Sequence, residues 1–149
     1  MPLTIQELSD RLLIGEVLAR YTLGIDTGQW DLLDTVFTPD AVVDYTSAGG
    51  VKGVRDEVKG WLAEVLPTWP GRQHLIGAVS VSVDGDGDGD EAIVTASFTD
   101  TLAPTRDAIS ASAPGLIRGG GWYHHRMTRT PDGWRSRELV EEQLWRTMQ

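Results

Sequence analysis

The hydrophobic period of this chain changes once, and that change decides what class of fold it can adopt. Up to Val65 the apolar residues recur at helical intervals: Ile14, Val17, Leu18, Tyr21 and Ile25 in one run, Val54, Val58, Trp61, Leu62 and Val65 in another. From His74 onward the period is two. Leu75, Val79, Val81 and Val83 read as one face of a strand, and Val94, Ala96 and Phe98 repeat the pattern after a polar turn. Helices first and hairpins afterward predict a segregated α+β fold rather than a parallel α/β one.

Punctuation along the chain sharpens this outline. Thr4 and Glu7 stand at capping-box spacing before a helix that ends near Gly24 to Gly28. A short helical stretch from Trp30 to Val36 leads into FTPDAVVDYT at 37–46, where Pro39 and Asp40 turn the chain and Ala41 to Tyr45 form a brief strand. Pro67 and Pro70 end the next helix. GWYHHRMTRT at 121–130 meets a turn at Pro131 to Gly133, and Trp134 to Val140 returns as the last strand. Leu102 to Gly121, rich in Ala, Ser, Pro and Gly, is predicted to be a long loop; residues 103–120 are a lid over the ligand or a plain mobile connection.

A length of 149 residues fits one domain over 1–149, and a hydrophobic content of 40% with six Trp suffices for a core. There is no cysteine, which removes disulfides, thiolate nucleophiles and zinc–thiolate sites. The formal charge of −9 and a pI near 4.6 repel polyanions, and the basic residues are scattered singly, so no nucleic-acid partner is expected. No apolar run approaches the ~20 residues of a membrane span, and Met1 to Gln6 lacks the pattern of a signal peptide, so no membrane partner and a cytoplasmic location are expected.

The run DGDGDGDE at 84–91 places Asp84, Asp86 and Asp88 at the alternate positions of a calcium loop, yet Thr95 stands where a closing Glu belongs and the flanks are strands. It reads as a hairpin turn. Of the three histidines, His74 opens a strand and His124 and His125 are neighbours in another, so at most one of that pair can join His74 on a shared face. No ligand spacing completes a metal site, and none is expected. Neither a nucleophile elbow nor a phosphate or dinucleotide loop is present, so no cofactor is expected either. What remains is proton transfer by His and carboxylate, with tyrosine hydroxyls to polarise a substrate oxygen. Asp26, at the end of the first helix where the dipole disfavours negative charge, is a candidate base or a simple turn residue. Asp100 shares strand parity with Val94, Ala96 and Phe98, which points it inward or leaves it a solvated strand-end acid.

The segments RYTLGIDTGQWD at 20–31, FTPDAVVDYT at 37–46, QHLIG at 73–77 and RTPDGWR at 129–135, in that order, resemble the SnoaL-like branch of the nuclear-transport-factor-2-like superfamily over nearly the whole chain. The resemblance implies a cone-shaped, barrel-like fold: a strongly curved mixed sheet wrapped around N-terminal helices, with a deep central pocket and frequent dimerisation through the sheet. Within that branch the chain is most similar to scytalone dehydratase and the bile-acid dehydratases. That similarity implies catalytic roles for Asp26, His74 and Tyr45 and a pocket tyrosine at Tyr21. The scytalone enzymes carry a second His on the strand matching Thr95 to Leu102, where this chain has none. His124 or His125 could replace it; Tyr123, His125 and Met127 share the parity favoured as inward, over Trp122 and His124.

The implied function is a small-molecule lyase or isomerase that moves protons to dehydrate, isomerise or cyclise a hydrophobic cyclic, polyketide-like or steroid-like substrate, acting as a homodimer or higher homo-oligomer. Tyr21, Asp100, Tyr123, His124 and His125 are the candidate substrate contacts. Two other readings stay open, because one fold serves many functions. One is a non-catalytic binding protein for a hydrophobic small molecule; the other is a structural subunit like the small subunit of ring-hydroxylating dioxygenases.

Overall fold

A computed structural model describes residues 2–106 and 115–149, the side chain of Asp86 excepted. The first helix, α1 (Ile5–Thr27), starts where the sequence places it. Thr4 Oγ1 accepts from the Glu7 N–H at 3.1 Å, and the Glu7 carboxylate accepts from the Thr4 N–H at 2.7 Å. It stops at Gly28, whose φ of 73° reverses the chain in a conformation that costs other residues strain. Asp10, Ile14, Val17, Leu18, Tyr21 and Ile25 form its buried face. A 3-10 segment (Trp30–Thr35) leads into β1 (Phe37–Asp44) and the short β2 (Lys52–Val54), followed by α2 (Arg55–Val65). The rest is a meander of β3 (Gln73–Val83), β4 (Glu91–Leu102), β5 (Ile117–Thr130) and β6 (Gly133–Met148).

The six strands form one curved, unclosed sheet in the order β2-β1-β6-β5-β4-β3, with β1 and β6 parallel and every other neighbour antiparallel. The two helices lie against its concave face, which gives the expected α+β cone. Tyr21, Phe37, Phe98, Tyr123, Met127, Trp134 and Leu139 fill the space between.

Irregularities in the strands set both the curvature and the direction of key side chains. On β3, Ile76 pairs with Phe98 and Val79 with Ala96, so Gly77 and Ala78 together oppose Ser97 alone. The Ser97 hydroxyl accepts from the Ala78 N–H at 2.8 Å and holds the bulge. Because one residue is added, parity inverts across it. His74 and Ile76 face inward before the bulge, Val81 and Val83 after it, and Leu75, read as sharing one face with the valines, is 56% exposed on the opposite face. A second shift, opposite Arg126 and Met127, does the same on β6, where Ser136 and then Leu139 and Glu141 face inward.

The long loop expected from Leu102 to Gly121 is shorter than its composition suggested. β5 already begins at Ile117, and Gly119, Gly120 and Gly121 pair with Asp100, Thr99 and Phe98. Glycine is needed there for space: a Cβ on Gly119 would lie 2.8 Å from Asp100 Oδ1. Of residues 103–120, read as a lid or a plain mobile connection, 107–114 lie outside the described residues and 117–120 belong to β5. The acidic run is a turn between β3 and β4, as read from the sequence, with a 3-10 segment at Gly85–Gly87.

Candidate active site

The open end of the cone holds a cavity of about 240 Å³ whose lining comes from every layer of the fold. α1 contributes Tyr21 and Ile25, the loop after β1 Tyr45 and Gly50, α2 Trp61 and Leu62, and the α2 exit Trp69. His74, Asp100 and Glu141 come from β3, β4 and β6.

His74 and Asp26, 48 residues apart in sequence, form a two-point contact. Asp26 Oδ1 stands 2.6 Å from His74 Nδ1, and Asp26 Oδ2 accepts from the His74 backbone N–H at 2.8 Å. The carboxylate therefore fixes the strand and the ring together, and it favours the tautomer with a proton on Nδ1 and a lone pair on Nε2. Nε2 is directed to the cavity, with Asp100 Oδ2 at 3.9 Å. Asp26 occupies the last turn of α1, where the helix dipole alone would repel it. Arg72 offsets that, donating to the Ile25 carbonyl at 2.7 Å and to the Leu66 and Trp69 carbonyls, which ties the helix end to the start of β3.

The Tyr21 and Tyr45 hydroxyls are 2.6 Å apart and both buried. Burial raises both phenols above their ordinary range, so both keep their protons. In a pair of hydroxyls one proton is used between the two oxygens, and the other remains free to meet a ligand oxygen. Phe98 stacks on Tyr123 at 4.1 Å, and Tyr123 packs edge-on against Tyr21, which locks that ring.

Asp26, His74, Tyr45, Tyr21 and Asp100 are thus brought together. Tyr123 and His125 face inward, but they lie beneath the cavity among the core residues rather than in its lining. His125 bonds Ser136 Oγ through Nδ1 at 2.9 Å, and burial pushes its imidazole down to about 3, so it is neutral there. His124 stands on the outer face, paired with Glu142 at 2.8 Å and away from the cavity, because neighbouring strand residues alternate.

Sequence reasoning passed over Glu141, Trp61, Trp69 and Arg72. Glu141 lines the cavity, and burial, with Asp100 adding to it and His74 opposing it, pushes its carboxyl up to about 7. Its parity signal was cancelled by the β6 bulge: counted from Trp134 in steps of two, Glu141 falls on the wrong face. Trp61 sat in plain view on the helical stripe, where it read as core.

Among the described residues no group of His, Asp and Glu is arranged to hold a metal ion, and no helix is long and apolar enough to cross a membrane. A protein of Mycobacterium tuberculosis without an assigned activity is 36% identical over 146 residues, covering 98% of this chain and 93% of its own length. Solved structures share the fold, among them two from Novosphingobium. A protein of Novosphingobium aromaticivorans assigned as a scytalone dehydratase superposes with a TM-score of 0.80 at 16% identity, over 99% of this chain and 92% of its own. The hexachlorocyclohexane dehydrochlorinase LinA-type3 of Novosphingobium barchaimii superposes with a TM-score of 0.77 at 15% identity, over 97% and 93%. The SnoaL-like domain matches residues 6–140, and with nearly its whole length inside that match the chain belongs to the SnoaL-like domain family.

Proposed function

We propose that the chain is a cofactor-independent lyase or isomerase that moves a proton on a hydrophobic cyclic substrate. The observation that carries this is the Asp26–His74 pair opening onto a cavity that also presents the Tyr45 hydroxyl. His74 Nε2 takes the proton from a carbon next to a carbonyl, the carbonyl oxygen gathers the charge, and the Tyr45 O–H donates to it. A hydroxyl on the next carbon then leaves as water, for which the imidazolium returns the proton; without a leaving group the proton goes back elsewhere and the double bond migrates. Scytalone dehydratase and LinA, which share the fold, are both named for eliminations. Dehydration, isomerisation and cyclisation of a polyketide-like or steroid-like ring are the reactions within this scheme.

Incubation with cyclic ketones and hydroxy-ketones in D₂O, followed by NMR, should show deuterium uptake next to the carbonyl. Tyr45→Phe should slow that uptake by about 100- to 1,000-fold, a lost donor to a developing oxyanion. No uptake from any ketone that demonstrably binds would remove the proton-transfer reading and leave a ligand-binding role.

We propose further that a second copy of the chain covers the outer face of the sheet. Leu75, Ile93 and Val140, from three strands, stand exposed on it. Sedimentation equilibrium should give twice the mass of 16.3 kDa, and a variant with Ile93→Asp should shift toward the monomer. A wild-type monomer at micromolar concentration would be decisive against this arrangement.

A further inference from the structure

The Asp26–His74 pair accounts for only one of the carboxyls at the cavity. Asp100 and Glu141 are each 9% exposed, both line it, and neither makes a side-chain hydrogen bond among the described residues. His74 Nε2 stands 3.9 Å from Asp100 Oδ2, too long for a hydrogen bond, and Asp100 Oδ1 is buried without a partner. Buried carboxyls without partners are costly, and chains retain them where a ligand completes them. Arg146, the one Lys or Arg in the lining among the described residues, does not fill that role. It is exposed at the rim, with Nη1 on the Ala48 carbonyl at 3.0 Å and Nη2 on Gln143 at 3.3 Å.

The same cavity has an aromatic lining. Tyr45 and Trp61 lie with their rings 6.3 Å apart and 29° from parallel, and Trp69 lines the same cavity. Aromatic faces sharing a cavity with unpartnered carboxyls form the surroundings in which an organic cation is held, by ring quadrupoles and by charge-assisted hydrogen bonds.

From this geometry we infer that the cavity selects a cyclic ligand bearing a protonated amine, its ammonium directed to Asp100 and Glu141 and its ring body against Trp61 and Trp69. This rests on the proton-transfer site described above and names the class of substrate that site takes. His74, Asp100, Tyr45, Tyr21, Tyr123 and Arg146 face Glu141 from the elements packed around it. The nearby Asp100 and the buried setting keep part of the Glu141 population protonated near neutrality, so an arriving ammonium should expel that proton.

The test is binding of three shape-matched probes to the full chain at pH 7 by titration calorimetry: 2-phenylethylammonium, 2-phenylethanol and 3-phenylpropanoate. The ammonium should bind at least ~10-fold more tightly than the alcohol, and the carboxylate more weakly than either. Asp100→Asn and Glu141→Gln should each reduce the preference for ammonium over alcohol several-fold, and together they should abolish it. Repeated in buffers of different ionisation enthalpy, ammonium binding should release protons in wild type and not in Glu141→Gln. Equal or tighter binding of the alcohol or carboxylate, an ammonium preference unchanged in both variants, or no binding of any probe would each overturn the inference. The read-out is binding alone, so a failure of the exchange chemistry would leave this result standing, and the reverse.

Discussion

His74→Ala should reduce deuterium exchange into a bound cyclic ketone by about 100- to 10,000-fold, the span of a positioned general base. Asp26→Asn should cost nearly as much, for a reason visible in the two-point contact. The His74 backbone N–H and the ring N–H at Nδ1 are both donors, and the Asp26 carboxylate meets them with two acceptor oxygens. An asparagine offers one acceptor and one donor. With its oxygen on the backbone N–H, its NH₂ faces Nδ1 and drives the ring proton to Nε2, where it blocks the base. In the other orientation, two N–H groups oppose each other at the start of β3. Because the two residues act as a unit, the double variant should be little worse than His74→Ala alone. Additive losses, or retained exchange in either single variant with its melting temperature unchanged, would show that the proton moves through some other group.

That pair was only half legible in the sequence. The helical stripe Tyr21 and Ile25 runs on to Asp26, and Tyr45 follows a readable strand, so those positions were open to pattern reasoning. His74 was not, by physics alone. The parity of Val79, Val81 and Val83 puts residue 74 on the outer face, and only the extra residue at Gly77–Ala78 turns its ring inward. The resemblance of QHLIG to a family motif carried that assignment. Glu141 met the same obstacle on β6 with no motif to rescue it, and so went unnoticed although it is one of the most perturbed acids in the molecule.

The fold was more legible than the site, because fold class depends on which period dominates a segment, whereas a site depends on the phase of that period at single residues. A bulge leaves the first intact and inverts the second. Gly119 to Gly121 show the converse error. Composition marked them as loop, yet they are strand residues that stay small because Asp100, Trp145 and the Glu142 backbone crowd them. The acids around His74 also illustrate why spacing rules fail here: Asp26 comes from α1, Asp100 from β4 and Glu141 from β6, so helix docking and strand register bring them together, not distance along the chain.

At the closed end of the cone the decisive residue is Asp10, and Asp10→Ala should be among the most destabilising substitutions. Its side chain has no solvent exposure. Arg129 grips both oxygens at 2.8 and 3.0 Å, and the Trp134 indole N–H donates at 3.0 Å. The guanidinium also lies 4.5 Å from the Trp134 ring centre, so one carboxylate joins α1 to the β5–β6 hairpin. Removing one partner of such a pair costs about 3 kcal/mol, the lower end of the usual range because Arg129 keeps Asp90 and some solvent. That corresponds to a fall of roughly 6–12 °C in Tm for a chain of this size. These donors hold the Asp10 carboxyl down at about 2, against about 3.9 when unfolded. A depressed carboxyl contributes its stability above the unfolded value and loses it as pH falls through the folded one. About 2–3 kcal/mol should therefore be present at pH 5 and above and vanish between about pH 4 and pH 2. Urea unfolding of wild type and Asp10→Ala at pH 6.5 and pH 2.5 separates this charge from packing. The gap between them should narrow by most of that amount in acid, whereas a gap independent of pH would mean that Asp10 stabilises the closed end through its shape alone.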